Sequence, residues 1–190
     1  MSTTQPIRNP EMLQQFKNYY LTQEPNPRNY VLIILGLNTA LRITDLLHLK
    51  WSDLYIDGKL REHLFVHERK TGKENQIYLN QEARTVLLQY EASSRNREQV
   101  YIFEGQKGTN APLSRCQAFR IIKHAAISVN LGEHISCHSL RKTFGYHAWK
   151  QGTAPALLMN IFNHSSYDIT TRYLGIEQDD KDSVFEKIKL

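Results

Sequence analysis

Cysteine is scarce in this chain: only Cys116 and Cys137 occur among 190 residues. Their spacing is not that of a metal site or a redox pair, and two lone cysteines do not make the disulfide framework of a small secreted protein. A disulfide-stapled scaffold is therefore excluded, and we expect both side chains to lie in the core.

Long apolar runs are missing as well. No stretch of 18 apolar residues could form a transmembrane helix, and the polar amino end, MSTTQPIRNPEM, does not resemble a secretion signal. Carboxylates do not cluster in the manner of a metal site. We expect a soluble cytoplasmic protein that uses neither a metal nor a cofactor.

Neither sign of charge dominates strongly. Lys and Arg total 24 against 19 Asp and Glu, a net charge of +5. This excess suits a polyanionic partner but is also common in proteins that have none. At 190 residues with 41% hydrophobic content, the chain suits one well-buried core and is short for two. We predict a single domain over residues 1–190.

Cap and turn signals indicate helices in the first 50 residues. Asn9 followed by Pro10 predicts a helix of about ten residues, since proline suits the first helical position. The apolar run YVLIILGLNTALRITDLLHLKW predicts a second helix, a turn near residues 38–42, and a further helix with Thr44 as N-cap.

Between residues 53 and 79 the pattern changes to short β-type segments, separated by the turn pairs Asp57-Gly58 and Thr71-Gly72. Such a pattern predicts a small three-stranded antiparallel β-sheet, with Lys70 at the tip of its second hairpin. The rest reads as helices, so the fold class is mainly α with this small sheet (α+β). Asn80 is predicted to cap a helix that reaches about Ser93, and Ser114 to cap a longer one that ends near Gly132. Further helical segments run from Cys137 to Gly152 and from Leu157 to Phe162, followed by SSYDITTRY and the tail DSVFEKIKL.

The segment CHSLRKTFGYHAW combines a packed helix face with a basic pair. Helical spacing predicts that face from four residues: Leu140, Phe144, His147 and Ala148. His138 and Arg141 lie one turn apart on an adjoining strip, where Gly145 leaves room for a close approach. A solvated surface pair is the alternative for these two residues taken alone.

Six residues in five short motifs supply the context. In chain order they are Arg42 in TALRITDLLHLKW, Lys70 in ERKTGKENQIYL, His138 and Arg141 in HSLRKTF, His164 in FNHSS, and Tyr173 in TTRYLG. In this combination the chain resembles the tyrosine recombinase (phage integrase) family over roughly residues 30–174. The resemblance implies a recombinase catalytic domain, with no separate N-terminal DNA-clamp domain evident.

The chemistry of phosphoryl transfer explains the basic residues. Charge on the non-bridging oxygens of a phosphodiester requires fixed positive groups, and guanidinium binds phosphate bidentately at any working pH. Arg42 and Arg141 are therefore predicted to clamp the phosphate. Tyr173 is predicted to be the nucleophile that forms a reversible 3′-phosphotyrosyl link, with Tyr167 as a competitor.

The remaining roles rest on the resemblance and on how far each side chain can extend toward the substrate. His138 is predicted to be a general base or acid and His164 a donor to a phosphate oxygen, with a satisfied core histidine as the alternative for each. Asp45 lies where the family has an acid that braces the basic groups; a helix N-terminal acid is its alternative. Lys70 is predicted to protonate the leaving 5′-oxygen, with Lys73 as the competitor.

Two positions depart from the family pattern. Asn163 stands where glycine is common before the histidine, and asparagine tolerates the left-handed backbone that glycine would supply. Lys142 stands where a second histidine is frequent after the arginine. Neither departure replaces a predicted catalytic side chain.

The resemblance implies site-specific DNA recombination or integration on double-stranded DNA. It also implies self-association into a tetramer on DNA, accessory DNA-bending proteins, and a place at the nucleoid. Type IB topoisomerase-like relaxation and a catalytically silent DNA-binding module are the alternatives. The length fits either a compact recombinase or the catalytic part of a larger one.

Overall fold

Helix α2 (Pro27–Asn38) lies at the centre of the fold. The side chains of its residues 31–35 are each at most 1% exposed. A helix that is apolar on every side must be covered on every side, and α2 is indeed contacted by helices before and after it in the chain. The computed structural model describes residues 4–70, 72–94, 99–105, 110–132, 134–175 and 184–188.

The described part of the chain is mainly helical, as predicted. Its other helices are α1 (Pro10–Thr22), α3 (Ile43–Leu47), α4 (Trp51–Leu54), α5 (Gln81–Ser94), α6 (Arg115–Ser128), α7 (Cys137–Lys150), α8 (Pro155–Ile161) and α9 (Tyr167–Leu174). Four short strands lie between α4 and α5: β1 (Tyr55–Ile56), β2 (Lys59–Leu60), β3 (His63–His67) and β4 (Glu74–Tyr78). Across the ranges that the structure describes, no helix is long and apolar enough to cross a membrane.

Helices α1 and α6 begin at caps that were predicted. The side chain of Asn9 accepts from the Met12 N–H, and that of Ser114 from the Gln117 N–H. The prediction of Thr44 as an N-cap is wrong. Arg42 has the extended backbone of the cap residue of α3, and its carbonyl accepts the N–H groups of Asp45 and Leu46.

Helix α6 is shorter than predicted and ends at Ser128 rather than near Gly132. Asn130 has a φ of 56°. A left-handed residue just beyond the last turn is a common way to end a helix, and asparagine is one of the residues that tolerate it.

The strands form two separate two-stranded antiparallel sheets, β1–β2 and β3–β4, and not the single three-stranded sheet that was predicted. Only Arg61 and Glu62 separate β2 from β3, and the chain bends at Glu62, so β2 cannot continue beside β3. The longer hairpin pairs His63 with Tyr78 and His67 with Glu74. Its tip carries Lys70, as predicted; Thr71 lies outside the described residues.

Buried apolar side chains of the described residues form three clusters. One cluster joins α2 to α5 and the hairpin, and a second joins α2 to α1 and α6. The third lies beneath α7 and includes Leu158, Phe162, Tyr173 and Leu174. The expectation that both cysteines are core residues is wrong for Cys116, which is exposed, whereas Cys137 is half-buried and packs at the edge of the core. Cys116 lies in the first turn of α6, on the side that faces away from buried Ala118 and Ile122.

Gly145 of α7 packs against Phe162, at the end of α8, and Leu174, at the end of α9. A Cβ atom at Gly145 would lie 2.7 Å from Cζ of Phe162 and 2.9 Å from Cδ2 of Leu174. The predicted strip of His138, Arg141 and Gly145 is therefore covered at Arg141, which is 2% exposed, and at Gly145. Because Gly145 has no side chain, the end of α9 packs directly on α7.

We predict that Gly145→Ala lowers the free energy of unfolding by about 1–3 kcal/mol, because the added methyl overpacks a buried contact. The loss should appear although alanine is the better helix former by about 1 kcal/mol. Urea unfolding measures it. Gly132→Ala is the matched control, since nothing lies within 4 Å of a Cβ there; equal effects at the two glycines would contradict the packing argument.

Candidate active site

The two predicted clamp arginines meet at one backbone oxygen. Nη2 of Arg141 donates to the carbonyl of Phe162 at 2.7 Å, and Nη2 of Arg42 donates to the same carbonyl at 3.4 Å. Nη1 of Arg141 also donates to the carbonyl of Ala40. The two guanidinium groups therefore lie side by side, although about 100 residues separate them in the sequence.

Local structure explains why that oxygen is available. Phe162 is the C-cap of α8, and carbonyls at a helix C-terminus have no acceptor role within the helix and carry partial negative charge. Asn163 follows with a φ of 49°, which confirms that asparagine adopts the left-handed backbone where the family commonly has glycine. The chain thus turns sharply between the shared carbonyl and His164.

A second link ties Arg42 to the β3–β4 hairpin. Nη1 of Arg42 forms an ion pair with Oε2 of Glu68 at 2.5 Å, and the Glu68 side chain is only 1% exposed. Asp45, three residues after Arg42, accepts the backbone N–H of Arg69 on Oδ1 at 3.0 Å and is 3% exposed. These two contacts join the α3 turn to the residues just before Lys70.

Glu68 was not among the predicted site residues, although the sequence carries a signal for it. Side chains of a strand alternate between faces, and Leu64 is buried and Val66 half-buried on the inner face of β3. Continuing that series by two residues places Glu68 on the same inner face. The burial of this carboxylate was not predicted, because charged residues are seldom fully buried unless they are paired.

Lys70 and Lys73 are both exposed around the hairpin tip. The Lys70 charge is one of those that lower the pKa of His138. The backbone carbonyl of Lys73 accepts the N–H of Glu68 at 2.9 Å. The charge of Lys70 thus reaches the histidine, and the choice between the two lysines as general acid stays a prediction.

Tyr173 lies between the two predicted histidines. Its ring centroid is 4.9 Å from that of His138 and 4.8 Å from that of His164, and both ring pairs meet edge to face. The tyrosine is 8% exposed, and its hydroxyl lies beside the Arg141 guanidinium. Tyr167, the competing tyrosine, is 51% exposed at the start of α9.

His164 has a further partner that the sequence analysis missed. Its Nδ1 is hydrogen-bonded to Oγ1 of Thr170 at 3.1 Å, and Thr170 is fully buried. Thr170 lies three residues before Tyr173 on α9, so both share one helix face. This bond orients the imidazole and leaves Nε2 as the nitrogen for a substrate.

Burial sets the protonation states at this site. It raises the pKa of Tyr173 to about 12, while the charges of Arg141 and Arg42 oppose the rise. Burial, followed by the charges of Lys142, Arg141, Arg42 and Lys70, lowers the pKa of His138 to about 4. His138 as a residue is exposed, although its ring packs edge to face with that of Tyr173.

The same causes act on His164. Burial, then Arg141 and Arg42, lowers its pKa to about 4. Near pH 7 the phenol is therefore protonated and both imidazoles are neutral, and a neutral imidazole has one nitrogen that can accept a proton.

Four features define the catalytic domain of a tyrosine recombinase: a mainly helical fold, paired arginines, a hairpin lysine, and a buried tyrosine between two histidines. The chain belongs to the phage integrase family, whose model matches residues 9–179. A probable integrase/recombinase of Bacillus subtilis, YoeC, is 40% identical over 179 residues, which cover 94% of this chain and 93% of that protein.

Solved structures share the fold. The XerA recombinase superposes with a TM-score of 0.78 at 16% identity, over 98% of this chain and 67% of that one. The XerH site-specific recombinase, in a post-cleavage complex with its palindromic difH substrate, superposes with a TM-score of 0.76 at 17% identity, over 97% of this chain and 52% of that one.

We predict that Glu68→Gln lowers the free energy of unfolding by about 1–3 kcal/mol, because a largely buried guanidinium loses its charged acceptor. Glu62→Gln, on the same hairpin, is the control. Its pair with Arg84 is exposed and 3.5 Å long, so its loss should cost less than about 1 kcal/mol.

A double-mutant cycle of Glu68→Gln with Arg42→Met, followed by urea unfolding, isolates the coupling between the two side chains. Strictly additive effects of the two substitutions would show that the ion pair does not stabilise the hairpin.

Proposed function

We propose that this chain is a site-specific DNA recombinase that cuts a strand through Tyr173 and rejoins it to a partner strand. The observation that carries the proposal is the placement of the Tyr173 ring between two neutral imidazoles, next to a pair of guanidinium groups. Site-specific recombination accounts for every member of this set, whereas a DNA-binding module does not need a buried tyrosine between two imidazoles.

In the cleavage step, the Tyr173 oxygen attacks the phosphorus of a phosphodiester. The phenol proton passes to a neutral imidazole, for which His138 is the candidate base, and the new bond is a 3′-phosphotyrosyl ester. Arg42 and Arg141 stabilise the charge on the non-bridging oxygens, and His164 donates to one of them. The energy of the broken bond is kept in the tyrosyl ester, so the step needs no external energy source.

The bond that breaks joins phosphorus to the 5′-oxygen of the leaving strand. Lys70 supplies the proton that this oxygen takes up, and Asp45 holds the backbone of the hairpin that carries Lys70. Rejoining reverses the step: a 5′-hydroxyl of the partner strand attacks the tyrosyl ester and returns its proton to Lys70.

Double-stranded DNA is the proposed substrate. An open groove of about 850 Å³ begins at His138 and runs along the amino-terminal half of α6, where Arg115, Phe119 and Arg120 line it. Arginines suit the phosphates of a duplex, and an exposed aromatic side chain suits its sugars and bases. A protein acting on DNA in this way belongs at the nucleoid, which is where we place it.

Self-association on DNA is part of the proposal. In the described tail, residues 184–188, the side chains of Val184, Phe185 and Ile188 are 52–80% exposed. An apolar stripe on so short a helix needs a surface to pack on, and a neighbouring protomer of a DNA-bound tetramer would supply one. Accessory DNA-bending proteins are a further expectation from the family.

Covalent trapping tests the function. Wild-type protein should form an adduct on a duplex nicked near its recombination site, and we predict that Tyr173→Phe abolishes that adduct while changing DNA affinity by only a few-fold. Tyr167→Phe is the matched control and should retain the adduct. An adduct that survives in Tyr173→Phe would assign the nucleophile to another residue, and a wild type that binds DNA without any adduct would favour the silent module.

A sulfur-substituted substrate tests Lys70. We predict that Lys70→Ala slows cleavage by about 10²–10⁴, the usual contribution of a general acid. A thiol leaves readily as its anion, so a 5′-bridging sulfur should restore Lys70→Ala to near the wild-type rate.

The sulfur-substituted substrate also distinguishes the roles of Arg141, Lys73 and Lys70. Arg141→Ala should stay slow on it, because that variant lacks charge stabilisation and not the acid. Lys73→Ala should show a modest defect that is equal on both substrates. Sulfur rescue of Lys73→Ala, with Lys70→Ala still slow, would transfer the general acid to Lys73.

A further inference from the structure

Residues 4–8, here called the strap, lie along helix α7 and are fixed there by backbone hydrogen bonds. The N–H of Ile7 donates to Oγ1 of Thr143 at 2.9 Å, and the Ile7 carbonyl accepts from Nε2 of His147 at 2.9 Å. Thr143 and His147 are four residues apart, so they present one face of α7. Because the Ile7 side chain is also 1% exposed, the strap has one register on the helix.

One end of the strap contacts the end of the helix that carries Tyr173. Nη2 of Arg8 donates to the carbonyl of Gly175 at 3.1 Å. Gly175 is the C-cap of α9 with a φ of 66°, and a Cβ atom there would lie 2.9 Å from Nη2 of Arg8. Glycine therefore serves both the left-handed cap and the approach of the guanidinium.

The other end of the strap contacts Tyr173 through Lys142. This lysine is only 8% exposed; its Nζ donates to the carbonyl of Thr4 at 2.6 Å and lies 5.6 Å from the centroid of the Tyr173 ring. A cation over a ring face is attracted to it. Burial lowers the pKa of Lys142, so the protein keeps an amine here at a desolvation cost.

We propose that the strap positions the nucleophile, with Lys142 and Arg8 as positioning residues that hold the Tyr173 ring and the end of α9. The inference rests on the proposed role of Tyr173. The Tyr173 ring carries the attacking oxygen, so the place of that oxygen depends on what holds the ring and the end of α9. A displacement of about 1 Å is enough to cost about 10² in rate.

The test is single-turnover cleavage of a nicked duplex at saturating protein, together with DNA affinity and thermal unfolding. Lys142→Met keeps the length of the side chain and removes its charge; we expect cleavage about 10–100-fold slower, with DNA affinity within a few-fold of wild type. Lys142→Arg keeps a cation and a donor and should return to within a few-fold of the wild-type rate. Arg8→Ala, at a half-buried position, should also cleave more slowly.

Lys150→Met is the matched control. Lys150 is exposed on the same helix, and its Nζ lies 4.9 Å from the ring centroid of Trp149 and 5.8 Å from that of Tyr146. This variant should cleave at the wild-type rate. Wild-type rates in both Lys142→Met and Arg8→Ala would overturn the strap, as would a Lys142→Arg that is as slow as Lys142→Met with the same fall in melting temperature. A wild type that forms no adduct refutes the proposed function instead, so the two failures are distinct.

Discussion

The structure of the site depends on the meeting of two guanidinium groups at the carbonyl of Phe162. Two like charges side by side repel each other, and they stay together only where acceptors hold both. The C-cap of α8 supplies the shared oxygen, Ala40 supplies a second one to Arg141, and the buried Glu68 carboxylate balances Arg42. The ends of three elements, α3, α8 and the hairpin, are thereby fixed around one point. A site that binds a phosphate needs this arrangement before its ligand arrives, because donors ordered in advance cost nothing to reorganise during the reaction.

Tyr173 is held in a different way, by the surroundings of its ring. The ring belongs to the apolar cluster under α7, and Nζ of Lys142 lies 5.6 Å from its centroid. The hydroxyl lies beside the Arg141 guanidinium, whose charge opposes the rise in the pKa of Tyr173. One guanidinium thus neighbours both the predicted nucleophile and the place of the phosphate. The absence of a side chain at Gly145 also helps to place the tyrosine, because it lets Phe162 and Leu174 seat α9 against α7.

Local patterns accounted for much of the fold and for the set of site residues. The caps at Asn9 and Ser114, the left-handed backbone at Asn163 and the place of Lys70 on a hairpin each depend on a few neighbouring residues, and the structure agrees with them. The site residues that were not predicted are those that depend on contacts between distant segments. The burial of Glu68 depends on Arg42, which is 26 positions earlier, and the part played by Lys142 depends on Thr4, which is 138 positions earlier. No periodicity encodes such pairings. Only the alternation of inward-facing residues through Leu64 and Val66 indicated that Glu68 lies on the inner face of the hairpin.

The protonation states make cleavage depend on the substrate. In the free protein the pKa of Tyr173 is raised to about 12 and that of each histidine lowered to about 4, so near pH 7 the phenol keeps its proton and both imidazoles are neutral. The arginine charges contribute to both histidine values. A phosphodiester bound between Arg42 and Arg141 adds negative charge there, which acts to raise the pKa of both imidazoles by offsetting the arginine charges, while burial, the first cause of each shift, stays. An imidazole then becomes a better acceptor at the moment when a phosphorus atom is in reach of the Tyr173 oxygen. In the proposed mechanism, the ligand that is to be cut therefore supplies the charge that activates the base.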